Sequence, residues 1–313
     1  MSAPPALPEG FAVGHWTDAE AMTGCTVILA PPGSRGGVDV RGGGPGTRET
    51  DVISPLANAG ETTAVLLAGG SAYGLAAADG VAAWCEEQDR GYATPAGRVP
   101  LVPAAVIYDL LAGRADVRPG PGEGRAACEA ALGGVPARGA VGAGTGAAVG
   151  KILGRERASG SGVGYAGRQV GDWTIASIAV VNAIGDVIDA DGAILGGPTL
   201  EDGTTGRSAE LLAEMAGRWP AEEAARESTT LVCVCTDAPL SKLDCAKVAR
   251  MASAGIARAV DPVFTPFDGD VVFCLASGVV GVDVGAGPIA ACGSVAATVT
   301  AAAIRDAVRS AAG

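Results

Sequence analysis

Short apolar runs separated by glycine- and proline-rich turns make up most of this chain, and their lengths predict strands and helices in alternation. Residues 231–235, Leu-Val-Cys-Val-Cys, are apolar and β-branched or small, which predicts a buried strand. Similar runs predict strands at 25–30, 38–40, 64–67 and 271–275, and an apolar element at 104–109. Residues 173–182 alternate at first and then become continuously apolar up to Asn182. Helices are predicted at 75–87, Ala-rich with one apolar face, at 125–132, at 208–218, which is amphipathic, at 221–226, which is charged and Ala-rich, and at 295–308, which is Ala-rich. In 242–256, Leu243, Ala246, Val248, Ala249 and Ile256 recur at helical spacing, which leaves Lys242 on a solvated face. The Gly-rich stretch 160–171 predicts a hairpin or loop, 192–206 an exposed loop, and 264–270 a turn feeding the next strand. Neither an internal repeat nor a heptad pattern is evident.

Several consecutive strands are joined by short glycine turns, so a layered α/β arrangement fits better than a regular doubly wound sheet. With 313 residues the chain can bury a large core, in one large domain or two. Hydrophobic residues are 48% and charged residues 18%, with 49 Gly, which is the composition of a tightly turned and ordered chain. The net charge of −12 and the absence of a basic patch argue against a nucleic-acid partner. The N-terminus lacks a basic region followed by an apolar one, and no apolar run reads as long enough to span a bilayer, so neither a signal peptide nor a membrane partner is expected.

The eight Cys lie mostly in apolar runs. Cys233 and Cys235 share a strand face, but no second pair or His cluster completes a zinc site. Buried free thiols in a reducing, cytoplasmic compartment are the expectation, with no metal or cofactor. The single His, His15, leaves a Ser-His-Asp triad improbable unless His15 serves it, so hydrolytic chemistry must find its base elsewhere.

Polar residues at the ends of apolar runs are the candidates for chemistry, and each has an ordinary structural explanation beside it. Thr229 and Thr230 stand at the front of the 231–235 strand, where Thr is favoured on steric grounds alone. Lys151 follows the Gly-rich stretch 141–150, and a lone Lys commonly lays its stem along the surface. Asp268 and Asp270 flank Gly269, and Asp-Gly is a frequent hairpin signal. Asn182 suits a strand end, and Tyr108 suits a core. The glycine run 42–44 is not a phosphate loop, because no Gly-Lys-Ser/Thr follows it.

Six motifs carry a resemblance to a known family: Gly43-Gly44-Pro45-Gly46-Thr47-Arg48-Glu49-Thr50, Gly69-Gly70-Ser71-Ala72-Tyr73-Gly74-Leu75, Gly142-Ala143-Gly144-Thr145-Gly146, Val181-Asn182-Ala183, Thr236-Asp237-Ala238-Pro239-Leu240 and Asp268-Gly269-Asp270. In this order the chain resembles the self-processing N-terminal-nucleophile hydrolases of peptidase family S58 (P1): the L-aminopeptidase/D-esterases, β-aminopeptidases and nylon-oligomer hydrolases. It resembles the nylon-hydrolase branch most, because Lys151, Thr229 and the Asp268/Asp270 pair fall where that branch has its functional groups.

The resemblance implies one α+β domain over residues 1–313, a four-layer αββα sandwich of the type shared with ornithine acetyltransferases. It implies a precursor cut between Ser228 and Thr229 into an α chain, 1–228, and a β chain, 229–313. Thr230 is an adjacent rival, but the distance back from Thr236-Asp237-Ala238-Pro239 favours Thr229. Relatives usually carry Asn or Gly before the cut; Ser228 departs from that, which bears on the rate of cutting and not its position. Once freed, the α-amine of Thr229, with a reference pKa of about 7.7–8.0, can act as base to its own hydroxyl, so no His is required. By the same resemblance Lys151 lies near that hydroxyl, and Asp268 and Asp270 orient Lys151 and the new ammonium group. Asn182 and Tyr108 are the side-chain candidates for an oxyanion site. The implied activity is amide hydrolysis of small peptides, β-peptides, amino-acid amides or 6-aminohexanoate oligomers by a homotetramer of cut pairs. Acyl transfer to an amine, as in ornithine acetyltransferase, and a processed but inactive binding protein are the alternatives.

Overall fold

Two five-stranded sheets lie face to face between pairs of helices in the computed structural model, which describes residues 4–216, 228–278 and 285–311. The first sheet is built from β1 (Ala12–Asp18), β2 (Thr23–Leu29), β4 (Thr47–Arg48), β5 (Ala64–Ala68) and β6 (Ala104–Val106), in the order β1-β2-β5-β6-β4. The second holds β3 (Arg35–Val40), β7 (Val163–Val170), β8 (Trp173–Asn182), β9 (Thr229–Thr236) and β10 (Val271–Ala276), in the order β7-β8-β9-β10-β3. In both, the successive pairings are antiparallel, antiparallel, parallel and antiparallel. Each parallel pair is joined by a helical crossover, as parallel strands require: α1 (Ala77–Glu87) links β5 to β6, and α4 (Lys242–Ala257) links β9 to β10. The chain therefore uses one pairing pattern twice, a topological repeat that its sequence does not display.

Helices α1 and α2 (Pro121–Glu129) cover the first sheet, while α4 and α5 (Ala286–Ala311) cover the second. Between the sheets, Ile28, Leu67 and Ile107 meet Ile178, Leu231 and Phe273. Alternate residues of β9, Val232 and Val234, face the other way into the layer of α4 and α5. Burial on both faces explains why β9 reads as a continuous apolar run and not as an alternation. The expected αββα sandwich is the observed one.

Expected ends shift where local chemistry overrides apolar spacing. Helix α2 begins at Pro121, before the expected 125, because Pro suits the first helical position and Glu123 accepts the Gly120 N–H at 2.9 Å. The stretch 160–171 is mostly strand β7, hairpinned to β8. Strand β1 was not expected, since Ala-Val-Gly-His-Trp-Thr-Asp has too few apolar residues to announce itself. The helix expected at 221–226 lies outside the described residues. Helix α5 starts earlier than expected, and by length and composition alone it is apolar enough to cross a membrane, which corrects the reading that no run qualifies. Half of that apolar window is buried within the protein, against α4 and the second sheet. All eight Cys are buried free thiols.

Candidate active site

Topology brings the candidate residues to one end of the second sheet. Because β9 and β10 run parallel, the start of β9 and the segment leading into β10 lie side by side; β8 runs antiparallel, so its end joins them. Thr229, the first residue of β9, faces Asn182, the last of β8, in direct register. Ser228 bridges Asp268 in parallel register.

The Ser228–Thr229 peptide is the centre of this end. The Thr229 hydroxyl donates to the Ser228 carbonyl oxygen at 2.5 Å, and the Gly269 N–H donates to the same oxygen at 2.8 Å. A hydroxyl held that close to a carbonyl oxygen is also near its carbon, only about 1.2 Å farther along the bond. Thr229 is 6% exposed, so bulk water does not compete for these contacts. Gly269 was expected only as a spacer between two aspartates. Its N–H is a backbone donor on the carbonyl, and a Cβ there would lie 2.9 Å from both Thr229 Oγ1 and Gly44 O. The glycine run is tied alongside: Gly44 N–H donates to Asp268 O at 2.9 Å and Arg41 N–H to Asp270 O at 2.9 Å.

The aspartates are buried and differently held. Asp268 Oδ2 accepts the Thr265 N–H at 2.8 Å and the Thr265 hydroxyl at 2.6 Å. Burial raises its pKa, while the Thr265 bonds, the Ile184 N–H and the ammonium of Lys151 oppose that rise. Asp270 Oδ1 accepts the Thr230 N–H at 2.6 Å, and Oδ2 the Phe264 N–H at 3.3 Å. Burial and, after it, the like charge of Asp268 push Asp270 up to about 7.

Lys151 is 4% exposed, so it does not lie along the surface. It opens a tight turn, Lys151–Leu153, entered through Gly150 in the left-handed region at φ 70°. The turn is anchored by Lys151 N–H to Ile184 O at 3.1 Å and Gly150 N–H to Gly185 O at 2.9 Å. Asn182 Oδ1 accepts the Ala148 N–H at 3.1 Å, and its Nδ2 donates to the carbonyl of half-buried Tyr108 at 3.1 Å. All seven candidates, Tyr108, Lys151, Asn182, Ser228, Thr229, Asp268 and Asp270, thus belong to one neighbourhood.

Three supporting residues escaped the sequence reading. Thr265 carries no signal beyond its place in a turn. Asp109, a carboxylate inside an apolar element, accepts the Gly70 N–H at 2.6 Å and the Thr23 hydroxyl at 2.7 Å, fixing the backbone just after Tyr108. Asp186 accepts both the Ser208 N–H, at 2.8 Å, and the Ser208 hydroxyl, and so docks α3 (Ser208–Met215) against the Lys151 turn. Lys242 corrects another expectation: its ammonium donates to the carbonyls of Val52, Ala57 and Ala59 at 2.7–2.9 Å instead of facing water. His15 pairs with Thr26 through Nδ1 at 2.9 Å, on the first sheet, and burial lowers its pKa to about 4. Among the described residues no group of three or more His, Cys, Asp or Glu is placed to hold a metal ion.

Such an arrangement, a hydroxyl on a polarised carbonyl beside a buried cation and two buried carboxylates, suits acyl transfer without an imidazole. Comparison with known proteins gives peptidase and oligomer-hydrolase relatives. The chain is 43% identical over 298 residues to an uncharacterized aminopeptidase of Mycobacterium leprae, covering 87% of this chain and 77% of that one. It is 33% identical over 273 residues to a 6-aminohexanoate-oligomer endohydrolase of an Agromyces species, covering 85% and 72%. Its fold matches the L-aminopeptidase D-Ala-esterase/amidase of Ochrobactrum anthropi, a variant of the N-terminal-nucleophile hydrolase fold, with TM-score 0.69, 18% identity and coverage of 97% and 84%. The model of peptidase family S58 matches residues 9–313, and the chain belongs to that family.

Proposed function

We propose that this hydrolase cuts its own chain between Ser228 and Thr229 and then uses Thr229 as an N-terminal nucleophile on amides. The observation that carries this reading is the Ser228 carbonyl oxygen, which accepts the Thr229 hydroxyl at 2.5 Å and the Gly269 N–H at 2.8 Å. In the uncut chain the Thr229 oxygen attacks the Ser228 carbonyl carbon, and Gly269 N–H meets the oxyanion. The C–N bond breaks, the Thr229 nitrogen takes up a proton as an amine, and Ser228 becomes an ester of the Thr229 oxygen. Water cleaves the ester to a Ser228 carboxylate and a free hydroxyl. Lys151 favours loss of the hydroxyl proton before cutting, and Asp268 compensates its charge. Afterwards the α-amine of Thr229 is the base, and Asp270, beside Thr230 N–H, stands near the new ammonium group. Asn182, opposite Thr229, and Tyr108, whose carbonyl accepts the Asn182 Nδ2–H, are the side-chain candidates for the oxyanion of turnover.

Substrates are small peptides, β-peptides, amino-acid amides or ω-amino-acid oligomers. The printed names of the relatives, aminopeptidase and 6-aminohexanoate-oligomer endohydrolase, support that range. That chemistry calls for no cofactor. Eight buried free thiols support a reducing, cytoplasmic setting. We propose further that the cut pairs associate as a tetramer through the small, flat apolar faces of the Ala-rich helices; light scattering giving one stable α/β pair on dilution would overturn that.

Intact mass and N-terminal sequencing test the main reading. Two polypeptides are expected, the smaller beginning at Thr229. Thr229→Ala is expected to stay whole and inactive while folded, and Thr229→Ser to keep part of both activities. An Ala variant that is cut normally removes Thr229 from the mechanism.

A further inference from the structure

Two of the glycine motifs, at Gly69-Gly70 and at Gly146, meet around a carboxylate that the chemistry of Thr229 does not itself use. Asp109, just past β6, is 3% exposed. Its Oδ1 accepts the Gly70 N–H at 2.6 Å and its Oδ2 the Thr23 hydroxyl at 2.7 Å. The glycines make room for it: a Cβ at Gly69 would overlap Asp109 Oδ2, and one at Gly146 would overlap Met22 O and lie 3.0 Å from Asp109 Cβ. Burial pushes the pKa of Asp109 up, and the Gly70 N–H, the Thr23 hydroxyl and the charge of Arg155 oppose that rise. Burying a carboxylate is costly where an apolar side chain could fill the same space, so what it holds matters.

It holds backbone. Ile107 N–H donates to Ala68 O at 2.8 Å and Ser71 N–H to Ile107 O at 3.0 Å, so segments 68–71 and 107–109 are zipped together, with the bond from Gly70 to Asp109 closing the zip. Within the zipped segment lies Tyr108, whose carbonyl accepts the Asn182 Nδ2–H at 3.1 Å. From the other side the Ala148 N–H, two residues past Gly146, donates to Asn182 Oδ1 at 3.1 Å. A carbonyl at one end and an N–H at the other fix which way the Asn182 amide points. Asp109 packs beside both of the segments that supply them, and Asn182 stands opposite Thr229 in register. We propose that Asp109 is a positioning residue for acyl transfer at Thr229: it sets the Tyr108 carbonyl and the 146–148 backbone, which together aim the Asn182 amide. This rests on Asn182 serving the reaction of Thr229. Asp109 itself touches neither substrate nor nucleophile and takes no proton; it acts through Asn182.

A mutant cycle tests this. Asp109→Ala, Asp109→Asn and Thr23→Val are made in the parent chain, and Asp109→Ala and Thr23→Val also together with Asn182→Ala. Each chain is followed for half-time of self-cutting, and each cut protein for kcat and KM on alanyl p-nitroanilide, with circular dichroism as a check on folding. Asp109→Ala should lower kcat by about tenfold or more and leave KM within about threefold, because a misaimed group is felt in the transition state. Asp109→Asn, which keeps an acceptor for the Gly70 N–H, should recover most of that loss. A residue that acts only through Asn182 cannot cost more than Asn182 itself. The double variants should therefore match Asn182→Ala in cutting and in kcat, although their melting temperatures fall further. Thr23→Val removes one donor and opens no cavity, and it should lose part of kcat, so a misfolded Asp109→Ala cannot hide the answer. Losses that multiply in the double variants, or parent kcat in both Asp109→Ala and Thr23→Val, would overturn the positioning role and leave the reading of Thr229 intact. Parent rates in Asn182→Ala alone would instead remove Asn182 from the reaction and take the proposal with it.

Discussion

Asp270 changes charge near neutrality, because burial and, after it, the like charge of Asp268 push it up to about 7 from an ordinary value of 3.8. Between those values the folded, uncut chain keeps a proton that the unfolded chain releases. The stability this carries is therefore complete below about pH 3.8 and lost as pH rises through about 7. His15 acts in the opposite sense: lowered to about 4 by burial, it costs stability as pH falls below 6.5. The two are separated by comparing the uncut Thr229→Ala chain with and without Asp270→Asn between pH 5.5 and 8.5. Asp270 should account for roughly 2 kcal/mol of loss across that range, a few degrees of melting temperature in a chain this long. Equal pH slopes in the two proteins would mean that Asp270 is ionised throughout. The sequence already pointed to Asp270 as a residue; its raised pKa was not legible, because that comes from burial and from a second carboxylate.

Elements are most legible in the sequence where burial leaves an unbroken apolar run. Strand β8 ends at Asn182 as expected, and β9 and β10 differ from expectation only at their ends. Tertiary partners are less legible. The spacing of α4 does put Lys242 among polar positions, but nothing local reveals three carbonyls waiting in the 52–59 loop. That difference gives a graded prediction. Lys151→Ala and Asp268→Ala should each accumulate uncut precursor, since breaking a buried charge pair costs about 3–5 kcal/mol and disturbs the nucleophile. Lys242→Ala should lower stability by about 1–3 kcal/mol through its abandoned carbonyls yet still be cut. Lys247→Ala, which removes only an exposed pair with Asp244, should change both by little. Fraction cut against time on a denaturing gel, beside thermal melts, checks all four. A Lys151→Ala chain that matures at the parent rate would remove Lys151 from the site.

A cut between Ser228 and Thr229 would divide the chain without dividing the fold. Strands β9 and β10, from the part after Ser228, lie inside the second sheet, with β8 on one side and β3 on the other, both from the part before it. The pairing of β8 with β9 runs from Ile175 opposite Thr236 to Asn182 opposite Thr229, and that of β10 with β3 from Val271 opposite Val40 to Ala276 opposite Arg35. Leu231, Cys233 and Phe273 also close the core between the sheets against Ile28, Leu67 and Ile107. Separating the two polypeptides would expose that core and two rows of backbone groups, a cost comparable to unfolding the domain. Cutting should therefore leave size and secondary structure unchanged. On gel filtration without denaturant both fragments should share one peak, at the elution position of uncut Thr229→Ala, and should part only in denaturant. Release of the 229–313 fragment under native conditions would mean that the shared sheet does not hold the halves together.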